Sequence, residues 1–214
     1  MQDRFKEQST VFVVDDDADV RDALQALFQS VDLHSRAFGS SSEFLQATRP
    51  GGPCCLVLDI RLPETSGLDL QTELAKAEKN IPIVFITAHG DIPMAVKAIR
   101  AGAIDFLAKP FREQDLLDAV RLALDHSRAR RLADEKLGNI EQGYNSLTRR
   151  EQEVMGLVCA GLMNKQIASH IGVTEITVKV HRHNIMKKLG AKSLPELVRM
   201  EALLQPTSGN VSGK

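Results

Sequence analysis

The 214-residue chain lacks the features that mark membrane proteins and secreted proteins. No apolar stretch is long enough to cross a membrane, and the first residues, Met1 to Thr10, are polar rather than signal-like. Only three cysteines are present, and Cys54 and Cys55 are neighbours in a predicted strand, where a bridge between them is geometrically unfavourable. We therefore expect a cytoplasmic protein of one or two globular domains, with reduced cysteines and no membrane partner.

Charge is unevenly distributed along the chain. Residues 1–125 carry 13 lysines and arginines against 20 aspartates and glutamates, whereas residues 126–214 carry 14 against 8. An acidic half suits a cation, and a basic half suits a polyanion. The two halves are therefore predicted to bind different partners.

Hydrophobic patterning divides the chain in the same way. Five short apolar runs alternate with helix-like segments, which is typical of a doubly wound α/β domain with a parallel sheet. The runs lie near residues 11–15, 33–37, 54–59, 81–86 and 104–107. After these runs the chain is first polar and then has helical periodicity with no strand-like run. The whole pattern predicts an α/β domain over 10–125, a helical extension and linker over 126–145, an all-α domain over 146–204 and a flexible tail over 205–214.

Polar side chains follow four of the predicted strands. The carboxylates Asp15 and Asp16 follow the first, Asp59 the third, Thr87 the fourth and Lys109 the fifth. Because parallel sheets bind ligands outside the carboxyl ends of their strands, these groups should converge on one pocket. Adjacent carboxylates need a neutralising cation, and an oxygen-only ligand set favours Mg²⁺ over zinc.

The predicted pocket contains the groups that acyl-phosphate chemistry needs. A metal held against Asp59 would neutralise an incoming phosphoryl group, so that this carboxylate can act as a nucleophile. Lys109 supplies a second cation, and Thr87 supplies a hydroxyl donor. Aspartates that follow strands also serve as helix N-caps. Each residue alone therefore has a structural explanation, but capping does not explain four compatible groups.

Four segments surrounding these residues are VFVVDDD, LVLDIRLPETSGLDL, IVFITAHGD and AIDFLAKPF. Together with the spacing from Asp59 to Thr87 and Lys109, they resemble the receiver domain of two-component response regulators over residues 11–125. The resemblance implies a flavodoxin-like, five-stranded parallel sheet. It also implies that Asp59 accepts a phosphoryl group from a sensor histidine kinase.

The same resemblance assigns roles to the other pocket residues. It implies that Mg²⁺ is held by Asp15, Asp16, Asp59 and the backbone carbonyl of Arg61. Thr87 and Phe106 correspond to the switch residues, with Phe106 turning inward when the threonine closes on the phosphoryl group. The Lys109-Pro110 bond corresponds to one that is usually cis. Considered alone, Phe106 would be interpreted as an ordinary core residue.

The second half contains two predicted helices joined by a tight turn. A short helix over 165–171 is followed by the Gly172-Val173 turn, and Thr174 caps a helix over 175–189. This is the helix-turn-helix pattern, whose second helix enters the DNA major groove. Three apolar residues of that helix fit an inward face, namely Val178, Ile185 and Leu189. Six others form polar and basic faces suited to DNA, namely Lys179, His181, Arg182, His183, Lys187 and Lys188.

Residues 147–200 resemble the LuxR-type, four-helix DNA-binding domain of the NarL/FixJ response regulators. By position, this resemblance implies that Lys179, Val180 and Arg182 face the groove. Lys187 joins the DNA-binding set on the basic face of the same helix, and Lys165 and Thr177 correspond to positions near the phosphate backbone. The last helix, from Ser193 to about Leu203, corresponds to the usual dimer surface. A two-fold dimer would bind half-sites related by approximate dyad symmetry.

Together these patterns predict a response regulator and not an enzyme. Phosphorylation of Asp59 would control homodimerisation and promoter binding, with RNA polymerase as a further partner and activation favoured over repression. Two alternatives remain open. An aspartate-nucleophile phosphohydrolase generally has a second acid two residues after the nucleophile, where this chain has Arg61. A phosphorylation-independent DNA binder would use the first domain only to dimerise.

Overall fold

The computed structural model describes residues 9–48, 51–63, 65–77, 80–88 and 91–204. The chain forms two compact units, the first ending at Arg131 and the second beginning at Leu132. Residues 205–214, for which the sequence predicts a flexible tail, lie outside the described part of the chain. Within the described residues, no helix is both long and apolar enough to span a membrane.

The described part of the first unit contains five parallel strands in one sheet, in the order β2-β1-β3-β4-β5. They are β1 (Thr10–Val14), β2 (His34–Phe38), β3 (Cys54–Asp59), β4 (Ile83–Thr87) and β5 (Asp105–Ala108). This order confirms the predicted flavodoxin-like sheet. Strand β4 begins at Ile83 rather than residue 81, because Pro82 has no N–H to donate to the ladder.

Helices cover both faces of this sheet, which explains why the strands are continuously apolar. They are α1 (Ala18–Ser30), α2 (Ser41–Gln46), α3 (Gly67–Lys76), α4 (Ile92–Arg100) and α5 (Glu113–Asn145). Successive strand residues point to opposite faces, so Val11 packs with Phe28 of α1, whereas Phe12 packs with Phe44 and Leu70 of α2 and α3. The sheet is therefore fully buried except at its edges and strand ends.

Helix α5 is longer than the sequence pattern suggests. It continues to Asn145, through the whole segment for which we predict a helical extension and linker, and the boundary between the two units falls within it. Near its end, Ile140 and Tyr144 pack against the core of the second unit. Gly143 lies so close to α8 (Glu175–Leu189) that an added Cβ would be 3.0 Å from the carbonyl oxygen of Lys188. This glycine therefore permits close packing.

Residues 146–204, all of which are described, form four helices, as the sequence predicts. Besides α8 they are α6 (Arg149–Cys159), α7 (Asn164–Ile171) and α9 (Leu194–Leu204). Gly172 ends α7 in the left-handed conformation that glycine tolerates best, with φ of 68°. Thr174 caps α8 through its side chain, which accepts from the Thr177 N–H. A tight turn therefore joins α7 and α8.

Candidate functional site

Three carboxylates meet at the carboxyl ends of β1 and β3, where the strand order reverses direction. Asp15 and Asp59 are buried, Asp16 is exposed, and one carboxylate oxygen from each lies within 4.8 Å of the others. A compact set of oxygen donors, open to solvent on one side, has the chemistry that a hard divalent cation requires. The sequence-predicted convergence of these three residues is therefore present in the structure.

Lys109 follows β5 and bridges two of these carboxylates. Its Nζ donates to Asp15 Oδ2 at 2.6 Å and to Asp59 Oδ2 at 2.9 Å. The Lys109 N–H also donates to the Thr87 carbonyl at 2.8 Å, which extends the pairing of β4 with β5 to the pocket. The pocket therefore contains a fixed cation, and its Lys109-Pro110 bond is cis.

Burial determines how the pocket ionises. It raises the pKa of the Asp15 carboxyl, and the hydrogen bonds from Lys109 and the Asp17 N–H offset only part of that rise. Burial also disfavours the Lys109 ammonium, but its hydrogen bonds to Asp15 and Asp59 outweigh this effect and raise the pKa of Lys109. Lys109 therefore remains charged at neutral pH, and a further cation would stabilise the Asp15 carboxylate.

Thr87 and Phe106 lie on the neighbouring strands. Thr87 ends β4 and is fully buried, whereas Phe106 on β5 is half-buried and packs against the core that contains Phe12 and Phe85. In the strand register, Thr87 pairs with Ala108 and Phe85 with Phe106. Thr87 therefore lies at the same sheet edge as the acidic pocket, and Phe106 lies one strand away from the threonine.

Arg21 supports the acidic pocket, although the sequence pattern does not identify it. Its Nη1 donates to the backbone carbonyls of Asp15 at 2.7 Å and of Asp16 at 2.9 Å. The guanidinium therefore holds the loop that presents both carboxylates. Because its partners are backbone atoms, no side-chain motif marks this residue.

The loop after β3 carries Asp59 and depends on a close backbone approach. The Arg61 N–H donates to Asp59 Oδ1 at 2.9 Å, which places the Arg61 backbone beside the pocket. The Gly67 N–H donates to the Ile60 carbonyl at 2.8 Å, and a Cβ at Gly67 would lie 2.5 Å from the Asp59 carbonyl oxygen. Only glycine fits this position without displacing the loop. The sequence signal for this close backbone approach is a glycine that begins a helix soon after an aspartate at the end of a strand.

Helix α8 presents opposite faces to the core and to solvent. Val178, Ile185 and Leu189 are buried, as predicted, and Lys179, Val180 and Lys187 are exposed. Thr177 is half-buried, and its hydroxyl lies 2.9 Å from that of Thr174. Ile176, which the sequence analysis leaves out of the candidate contacts, lies on the outer face with Val180, His183 and Lys187, because steps of three or four residues follow one face of a helix.

The predicted DNA surface includes two other basic residues, one on α7 and one on α8. Lys165 is exposed on α7, the first helix of the pair. Arg182 is half-buried, and its Nη1 donates to Asn164 Oδ1 at 3.2 Å. The Arg182 head group therefore lies against the start of α7, whereas Lys165 extends into solvent.

Lys188 is exposed, but its ammonium is paired with groups outside α8 and is not free on the basic face where the sequence analysis places it. Its Nζ donates to Glu151 Oε2 at 2.7 Å and to the Ser146 carbonyl at 3.0 Å. Glu151 is only 4% exposed and also completes a capping box with Thr148 at the start of α6. The Thr-x-x-Glu pattern is a sequence signal for the capping box. The pairing with Lys188 joins α6 to α8 and depends on how the helices pack.

This ion pair predicts a pH dependence of stability. The Lys188 ammonium and the Thr148 N–H lower the pKa of Glu151 to about 2. A carboxyl group whose pKa is lower in the folded than in the unfolded protein stabilises the fold at pH values above its unfolded pKa of about 4.3. This stabilisation is lost as the pH falls through the pKa of the folded state. We expect the difference in urea midpoint between wild type and Glu151→Gln to shrink from about pH 5 to about pH 2.5. A difference that stays constant over this range would contradict the assignment.

Comparisons with known proteins match both units. A family model described as the response regulator receiver domain matches residues 11–121. A second, described as bacterial regulatory proteins of the luxR family, matches residues 145–201. These matches contain the acidic pocket and the α7–α8 pair, respectively.

Similar proteins share both units in one chain. Nodulation protein W of Bradyrhizobium diazoefficiens is 54% identical over 197 residues, covering 92% of this chain and 87% of that protein. Transcriptional regulatory protein FixJ of Rhizobium meliloti is 39% identical over 191 residues, covering 89% and 94%. The solved structure of the response regulator StyR has a TM-score of 0.82 at 53% identity, covering 91% of this chain and 98% of that one. The chain therefore belongs to the response regulators that join a receiver domain to a LuxR-type DNA-binding domain.

Proposed function

We propose that phosphorylation of Asp59 by a sensor histidine kinase controls promoter binding by this protein. The observation that carries the proposal is the pocket in which Lys109 bridges the buried carboxylates of Asp15 and Asp59. A carboxylate beside a fixed ammonium is suited to receive a phosphoryl group, because developing negative charge is stabilised by a cation that is already in position.

The carboxylates fit Mg²⁺ as the cofactor. Asp15, Asp16 and Asp59 would hold it, with the backbone carbonyl of Arg61 as the fourth protein ligand. Bound there, Mg²⁺ would neutralise charge on the incoming phosphoryl group. Arg21 orients the first two carboxylates through their backbone, and Lys109 contributes the second positive charge. The arginine at position 61, rather than a second acid, favours storage of the phosphoryl group over its hydrolysis, so we assign no enzymatic turnover.

Thr87 and Phe106 would transmit the phosphorylation state. Thr87 lies at the pocket edge, and Phe106 is half-buried, so more of its ring can become buried when the threonine closes on the phosphoryl group. This is a shift between two conformations, biased by the charge on Asp59.

Homodimerisation is the proposed consequence of this switch. Helix α4 exposes three apolar residues at helical spacing, Ile92, Val96 and Ile99, and helix α9 exposes Leu194 and Val198. Apolar stripes of this kind suit self-association. We propose that phosphorylation favours pairing through the face of α4 and β5, and that α9 pairs the DNA-binding domains.

Promoter DNA is the proposed target of the second unit. We assign groove contacts to Lys179, Val180 and Arg182, and further contacts to Lys165, Thr177 and Lys187.

The domain bounds are proposed as 10–125 for the receiver, 126–145 for the connecting segment and 146–204 for the DNA-binding domain. A regulator of this kind would act in the cytoplasm, contact RNA polymerase and activate transcription.

Lys179→Ala tests the groove assignment. We expect it to weaken binding to a specific duplex, selected from random sequences with the wild-type protein, by about 1–3 kcal/mol. Fluorescence anisotropy on the selected duplex and on a shuffled one provides the measurement. Lys136→Ala, which removes an exposed lysine of the second unit from α5, outside the proposed DNA and dimer surfaces, is the matched control. Equal loss on both duplexes would make Lys179 a phosphate contact instead of a base contact.

A further inference from the structure

A cavity of about 290 Å³ lies in the first unit, at the amino ends of β4 and β5. Ile83, which begins β4, and Ile104, which precedes β5, both line it, and residues of α3 and α5 complete its walls. The acidic pocket lies at the other ends of these strands, where Thr87 and Lys109 are found. The cavity is therefore separate from the proposed phosphorylation site.

The inner wall of the cavity is mostly apolar and is held in place by a buried amide. Three of its apolar side chains are buried, namely Leu74, Ile81 and Ile83. Gln71 of α3, which also lines the cavity, is only 5% exposed. Its Nε2 donates to the carbonyls of Ala98 at 3.3 Å and Ala101 at 3.2 Å, so the last turn of α4 is fixed against α3. The cavity is therefore preformed, as small-molecule sites usually are.

Hydrogen-bond donors line the mouth of the cavity. His126 and Arg130 of α5 are exposed and both line it. They are four residues apart, so their side chains lie on one face of the helix. Basic residues are favourable near the C-terminal end of a helix because of its dipole, but α5 continues to Asn145, so its dipole does not explain these two. The mouth is therefore suited to an anionic group, whereas the inner wall is suited to an apolar one.

We propose that this cavity binds a small carboxylate with an aliphatic body. The volume has room for roughly ten water molecules, so it suits a ligand of about that many non-hydrogen atoms. The aliphatic body would pack against Leu74 and Ile81, and the carboxylate would accept from Arg130 and His126. An arginine has five N–H donors, so Arg130 can bind a carboxylate while part of its head group contacts another residue. The site depends on neither phosphorylation nor DNA binding.

Titration of the full-length protein with 4-methylpentanoate tests the inference. Its amide, 4-methylpentanamide, has the same shape without the charge and serves as the matched probe. Methyl NMR of protein labelled at isoleucine and leucine follows binding at Ile81, Ile83 and Leu74. We expect saturable shifts at these methyl groups, with the carboxylate binding about tenfold more tightly than the amide because its hydrogen bonds are charge-assisted. Absence of saturable shifts, or equal binding of the two probes, would overturn the inference.

Ala75→Leu tests whether the probes bind in the cavity itself. Ala75 of α3 lines the cavity, so a leucine there would extend into it, and leucine is compatible with the helix. We expect this variant to lose binding of both probes. Ala26→Leu, at an exposed alanine of α1 outside the cavity, is the matched control and should keep it. Circular dichroism checks that both variants are folded. Binding that survives in Ala75→Leu would place the probes elsewhere and overturn the inference.

Arg130→Gln tests the anionic end of the ligand with an exposed substitution that leaves the walls intact. It should weaken binding of the carboxylate about tenfold, to the level of the amide, and leave binding of the amide unchanged. Arg131→Gln is the matched control, because Arg131 is the next residue of the same helix and does not line the cavity. An equal effect of the two substitutions would overturn the assignment of Arg130. None of these results depends on phosphorylation of Asp59, so failure here would leave the proposed function standing.

Discussion

We expect replacement of Asp59 by asparagine to abolish labelling of the protein by acetyl phosphate and Mg²⁺. The reason is chemical, because an amide is not a nucleophile and carries no charge to hold a metal. The substitution keeps the shape of the side chain, and its oxygen can still accept from the Arg61 N–H that now donates to Asp59 Oδ1 at 2.9 Å. Mass spectrometry of the intact protein, before and after incubation, measures the phosphoryl adduct.

Asp69→Asn is the matched control for this experiment. Asp69 is an exposed aspartate in the first turn of α3, outside the pocket, and its replacement should leave labelling unchanged. Undiminished labelling of the Asp59→Asn variant would remove Asp59 from its role as phosphoacceptor. It would also favour the alternative in which the receiver serves only to dimerise the protein.

We expect replacement of Glu151 by alanine to destabilise the second unit by about 3 kcal/mol. The change removes a buried carboxylate that binds the Lys188 ammonium and accepts from the Thr148 N–H, so it breaks an ion pair and a helix cap together. Lys188 is partly exposed, so water can solvate its freed charge and keep the loss at the lower end of the range for buried pairs. Glu151→Gln should lose less, because glutamine can also complete a capping box.

Tyrosine fluorescence reports this unfolding selectively. The chain has no tryptophan and a single tyrosine, Tyr144, which packs against the core of the second unit. Urea denaturation followed at this residue should give a lower midpoint for Glu151→Ala. Glu153→Ala is the control, because Glu153 forms an exposed pair with Arg150 that contributes little. Equal midpoints for the two variants would show that the Lys188 pairing does not stabilise the domain.

The acidic pocket was predictable because its residues are marked locally. Asp15, Asp59 and Lys109 each end an apolar run, and the parallel arrangement of such runs brings their ends to one edge of the sheet. The same holds for the buried face of α8, where helical periodicity alone identifies Val178 and Ile185. Periodicity and strand-end position are properties of short segments, so they can be read without knowing how the segments pack.

The basic face of α8 was only partly predictable. Composition treats Lys187 and Lys188 as equivalent, yet Lys187 is exposed to solvent and Lys188 binds Glu151 on another helix. A rotation of 100° between successive helical residues separates the two side chains. Which of them finds a partner depends on where α6 lies, and the local pattern contains no information about that.

The structure of the connecting segment, residues 126–145, also differs from the prediction because of packing. Gly138 and Gly143, among polar residues, predict a helix that gives way to a linker, because glycine weakens isolated helices. In the structure the helix continues to Asn145. Ile140 is buried in the second core, and the absence of a side chain at Gly143 lets α5 approach the end of α8. Packing against the second core stabilises a helix that propensity alone disfavours.

The sequence by itself determined the order of strands and helices along the chain, the convergence of Asp15, Asp16 and Asp59 on one pocket, and the buried face of α8. Only the tertiary structure decided which other residues support these features: Arg21 holds the acidic loop, Gly67 admits the Asp59 backbone, and Glu151 binds the Lys188 ammonium. The physical reason is the distance along the chain between the interacting residues. Helix and strand propensity and hydrophobic periodicity depend on residues that are close in sequence, whereas these contacts join segments that come together only when the helices and strands pack.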